Sequence, residues 1–147
     1  MRKFGIMALL ALLLVVLLGL RVAAQAETKK FSGASEALKW IKKNQPEELT
    51  VEGKFKPADL LKVKKAMPEG SEFHFNVTWG DISYSDESTE IILGKKAVTE
   101  AHIDALLELC PKLKLLDNSK NRSPSNNYFI PLIEKYPDIK FEWVVSF

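Results

Sequence analysis

Residues 100–117 read "EAHIDALLELCPKLKLLD". Ile103 and Leu106 recur at helical spacing, which marks one buried stripe on an amphipathic helix. Pro111 ends that helix: its ring and missing N–H cannot continue the hydrogen-bond ladder, and the residue before it is pushed towards extended geometry. "LKLLD" then reads as a short strand. Helix, proline, strand is one unit, and the chain repeats it. "SEALKWIKKNQPEELTVEG" runs through Pro46, "ADLLKVKKAMPEGSEFHFNV" through Pro68 and "NNYFIPLIEKYPDIKFEW" through Pro137. Counting back from the four prolines, Leu38, Leu60, Ile103 and Phe129 share one position; Ile41, Val63, Leu106 and Leu132 share the next, three residues on.

The proline spacings are 22, 43 and 26 residues, so the middle interval holds an insertion. It reads as a β-hairpin: "FHFNVTW" alternates strictly, "GD" is a two-residue turn with glycine first, and "ISYSDESTEIILG" returns to another strand. "TVEGK" and "IILGK" then each end a strand with Gly-Lys before the next helix. A helix and a short strand at this period lie in the range of leucine-rich repeats. No unit can bury its stripe alone, so neighbours must stack. The expected fold is therefore α/β: a short leucine-rich-repeat-like solenoid with one mostly parallel sheet, one inserted hairpin, and helices on one face. The competing architecture is a closed α/β sandwich with coincidental spacing. Phe73, Phe75, Val77 and Trp79 also match Phe141, Trp143, Val145 and Phe147 sixty-eight residues later, placing both aromatic ladders at equivalent points of the sheet.

Residues 1–26 have the layout of a secretory signal peptide: a basic start, a seventeen-residue apolar run, and small residues that place cleavage after Ala26. A retained membrane anchor is the competing reading. The remaining domain is residues 27–147, expected in the secreted or cell-envelope fraction. Removing Arg2, Lys3 and Arg21 leaves 18 basic against 19 acidic residues, so the net charge of +2 becomes −1. No global positive field then remains to hold phosphates, which argues against nucleic acid as a partner. Membrane contact is expected only through an uncleaved leader. The single cysteine, Cys110, cannot form an internal disulfide.

Motifs for catalysis are missing: two histidines, His74 and His102, stand without H-E-x-x-H, G-x-S-x-G or a phosphate loop. His102 is expected to be exposed in a first helical turn, His74 to lack nearby ligands, and Cys110 to be a small buried hydrophobe. Asp86, Glu87 and Glu90 form an acidic run without the spaced ligands of a calcium loop. No catalytic, metal or cofactor residues are assigned. The candidate binding residues are Asn118, Lys120, Asn121, Arg122 and Asn126 in the polar stretch "DNSKNRSPSNNY", which follows a strand's C-terminal end. Trp79 and Trp143 join them, because aromatic faces also bind by stacking, although core packing is the first reading of both aromatic ladders. The partner is expected to be a protein or an envelope glycan, and a C-terminal edge strand offers free backbone groups for self-association.

The run "VTWGDISYSDESTEIILGKKAVTEAHIDALLELCPKLKLLD", followed by "LIEKYPDIKFEWVVSF", resembles the leucine-rich-repeat-like segments of exported proteins from Gram-positive gut and soil bacteria. The likeness covers roughly residues 57–147, and its most specific element is "YPDIKFEWVV". Asp117 keeps the family's aspartate, whereas Cys110-Pro111 replaces the usual Leu-Pro. The resemblance implies a repeat-type, non-enzymatic envelope protein and carries no catalytic residues with it.

Overall fold

The computed structural model describes residues 26–147, so the leader expected at residues 1–26 lies outside the described residues apart from Ala26. The elements follow in the order β1 (Glu27–Phe31), α1 (Ala34–Asn44), β2 (Glu48–Lys54), α2 (Pro57–Lys65), β3 (Glu72–Trp79), β4 (Ile82–Ser85), β5 (Glu90–Ile92), α3 (Glu100–Leu109), β6 (Leu115–Asn118), α4 (Asn126–Lys135) and β7 (Lys140–Trp143). All four helices stop two or three residues short of the four aligned prolines, as expected of a ring that cannot continue the ladder. Seven of the eight aligned apolar positions are buried, and Leu38 packs against the core half-exposed. Thr99 caps α3 in a reciprocal pair: its Oγ1 accepts from the His102 N–H, and its own N–H donates to His102 Nδ1.

The hairpin forms as the alternation requires. β3 and β4 pair antiparallel through Trp79 and Ile82, and Gly80 at φ 64° supplies the positive φ that a two-residue hairpin loop needs. The single sheet expected from the repeat is not what forms. β1, β2, β3 and β4 make one four-stranded sheet, and β5, β6 and β7 make a second, three-stranded one. The reason lies at the end of β4. Ser85 O accepts from both the Ser88 N–H and the Cys110 thiol, while the Ser85 N–H donates to Ser88 Oγ, so a local turn consumes groups that β5 would have to use. β5 instead starts a new parallel ladder with β6.

Within each sheet the parallel strands lie in chain order, β1-β2-β3 and β5-β6-β7. Phe31, Leu49, Val51, Phe75, Val77 and Trp79 from the first sheet share one continuous core with Ile91, Leu116 and Phe141 from the second. The buried stripes of all four helices join the same core, so the helices cover one face of the strands. α2 packs along α3 and ties the two halves together. β1 has no forecast in the apolar pattern. "ETKKF" carries a single buried apolar residue, Phe31, and its charges mark an edge strand. Among the described residues no helix is long and apolar enough to cross a membrane.

Candidate functional site

The polar loop after β6 is turned largely onto itself. Asn118 is completely buried; its Nδ2 donates to Ser123 O and its Oδ1 accepts from Asn121. Asn121 also donates to Gly94 O and accepts from the Lys96 N–H, stitching the loop to the segment after β5. Asn126 Oδ1 accepts from Trp143 Nε1 at 3.0 Å, and its Nδ2 donates to Ser146 O at 2.7 Å. Only Lys120 and Arg122 of this set point freely to solvent.

The two tryptophans are likewise engaged in packing. Trp79 is buried at 8% exposure, with the His102 ring 4.7 Å away and Lys96 Nζ 5.4 Å from its centroid. Trp143 stacks on Phe129, centroids 5.1 Å apart and nearly parallel. The structure therefore does not bring these seven residues to one surface. His102, expected to be exposed, is half-buried against Trp79; burial and the nearby Lys56 cation lower its pKa. Cys110 is buried, and burial pushes its thiol up to about 12, so it carries its proton at neutral pH.

What the fold does assemble is an open sheet face. Opposite the core side, the register aligns Thr28, Thr50 and His74 in one row and Lys30, Glu52, Asn76 and Ser85 in the next. Glu48 lies beside Glu72, and Lys54, Thr78 and Ser83 complete the far end. All of these are exposed or half-exposed. Parallel sheets are ordinarily covered on both faces. Here chain-order strands with all helices on one side leave the other bare.

His74 is the chemical focus of this face, contrary to the expectation that it lacks partners. Its Nδ1 lies 2.8 Å from Asp86 Oδ2, and its Nε2 lies 3.7 Å from Glu72 Oε2. Asp86 is itself held, since its Oδ1 accepts the Phe75 N–H at 3.1 Å. The Asp86 hydrogen bond raises the His74 pKa. Burial disfavours ionisation of Asp86, yet the bonds from His74 and from the Phe75 N–H hold its carboxyl below the ordinary range. Single ligand atoms of Glu48, Glu72 and His74 all lie within 4.8 Å of one another. An adjoining surface hollow is lined by Glu47, Glu48, Glu69 and Glu72. Glu72 and His74 alternate onto the polar side of β3, a signal the sequence does carry. What it lacks is the strand register that sets Glu48 beside them and the turn that folds Asp86 back.

Comparisons with protein-family models, with curated proteins and with solved structures found no match for this chain.

Proposed function

We propose that the chain is an exported, non-catalytic interaction module of the bacterial envelope that binds a protein partner through the open face of its first sheet. In this reading the two β-α-β-α-β halves are successive stretches of a leucine-rich-repeat-like array, broken where the hairpin was inserted. One observation carries it: a largely parallel sheet keeps an uncovered face of alternating charges, hydroxyls and an amide, where parallel sheets are normally buried. Such a surface is rigid, so a partner pays little to order it. The glycan alternative relies on free ring faces, and Trp79 and Trp143 are spent on packing, which favours the protein-binding reading.

A second reading, self-association, draws support from β7, which pairs only with β6, and from the exposed Val145, Ile130 and Ile133 nearby. Photo-crosslinking in the producing cell tests both. A crosslinker at Asn76 should capture a discrete protein, and one at Lys42, exposed on α1, should not. Equal capture at both positions, or none at Asn76, would remove the open-face reading. Recovery of a second copy of the chain from a crosslinker at Val145 would put self-association in its place.

A further inference from the structure

We propose that Glu48, Glu72 and His74 form a binding site for one divalent transition-metal ion of zinc's class at the N-terminal end of the open sheet face. This inference stands apart from the protein-binding reading and survives its failure.

An ionised carboxylate only accepts hydrogen bonds, so the proton between His74 and Asp86 belongs to Nδ1. That leaves Nε2 as the ring's ligand atom, facing the Glu72 carboxylate. A carboxylate that fixes the tautomer of a ligating histidine is a recurrent outer-shell arrangement at metal centres. Asp86 here comes from the turn after β4, outside the strands that carry the ligands.

Glu48 and Glu72 sit directly opposite one another on paired parallel strands, where like charges oppose pairing. Among the described residues no lysine or arginine forms an ion pair with Glu47, Glu48, Glu69 or Glu72. Four carboxylates thus gather around one hollow, and the His74 imidazole lies within 4.8 Å of two of them. A cation relieves this repulsion directly.

Tetrahedral bonds of ~2.0–2.1 Å set ligand atoms roughly 3.3 Å apart. The present spread of up to 4.8 Å closes by rotation of the side chains of Glu72, which is exposed, and Glu48, which is half-buried, while the strands stay fixed. One imidazole nitrogen with two carboxylate oxygens suits zinc or nickel, and is a poor match for the all-oxygen shells of calcium and magnesium. The remaining coordination position is left for water or a partner's side chain.

Calorimetry on the chelator-treated full-length chain, titrated with Zn²⁺, tests the site. One equivalent should bind. His74→Ala should weaken binding at least about tenfold, and Asp86→Asn by about 10–100-fold, the usual range for an outer-shell partner. Asparagine that keeps its oxygen on the Phe75 N–H would present its NH2 to Nδ1 and favour the ring proton on Nε2, which opposes ligation. Glu48→Gln, on a half-exposed side chain with no hydrogen-bond or ion-pair partner among the described residues, should also weaken binding, and His102→Ala should not. Circular dichroism establishes that each variant is folded. Zn²⁺ should perturb the His74 ring resonances and leave those of His102 in place. Unchanged Zn²⁺ affinity in His74→Ala, or Ca²⁺ binding as tightly as Zn²⁺, would overturn the proposal and reduce the hollow to an unspecific acidic surface.

Discussion

Histidine shows how far position alone can mislead at the scale of a residue. Sequence reading sets His74 without partners and His102 in solvent; the structure pairs the first with carboxylates and lays the second on Trp79. Their titrations must therefore diverge. Asp86, with Glu72 and Glu48 beyond it, raises His74, whereas burial and Lys56 lower His102. NMR titration of the chelator-treated chain should show two imidazole transitions, one on each side of 6.5. The linkage signs follow. His74 contributes stability that is complete below 6.5 and is lost as pH rises through its raised folded value. His102 acts in reverse: in the unfolded chain it binds protons more readily, so stability rises with pH from its lowered folded value up to 6.5. Coincident transitions would mean that neither environment persists in solution.

Among the elements, the strand pairing of the first sheet rests on a small residue. Gly53 of β2 adopts φ 126°, a conformation L side chains rarely take, and a Cβ there would overlap the Phe31 carbonyl oxygen of β1. Gly53→Ala therefore faces both backbone strain and a collision with its neighbouring strand. Denaturant unfolding should show a loss of about 1–3 kcal/mol, with the amides of β1 losing hydrogen-exchange protection first. The "G-K" that closes β2 in the sequence marks a strand end; only the register reveals why alanine is excluded. α4 differs from the other three helices in carrying Pro131 in its interior, and nothing in the structure explains it.

For the whole molecule, the question is whether two sheets mean two folding units. The packing argues for one. Lys65 pairs with Glu108 across α2 and α3, the Cys110 thiol donates to Ser85 O, and Trp79 meets His102. Each contact joins the first half to the second, over a continuous core. Leu106→Ala, at a position with no exposure, should cost ~2–5 kcal/mol. Its unfolding followed by tryptophan fluorescence and by circular dichroism should share one midpoint, because Trp40 and Trp79 belong to the first half and Trp143 to the second. Separate midpoints would show two independent halves.

The four helices, their proline stops, the hairpin and nearly all of the helical stripe were legible in the residues, because periodicity and the stereochemistry of proline act over a few neighbours. The aromatic ladders do not match in burial: Phe141 is buried where Phe73 is half-buried, Trp143 is half-buried where Phe75 is buried, and Val145 and Phe147 lie beyond β7 and are exposed where Val77 and Trp79 are buried. Tertiary structure alone decided that the strands divide into two sheets, that Asn118 faces inward, and that Glu48, Glu72, His74 and Asp86 meet. These outcomes depend on register and on turns that join residues far apart in the chain, and no local pattern encodes which backbone group reaches its partner first.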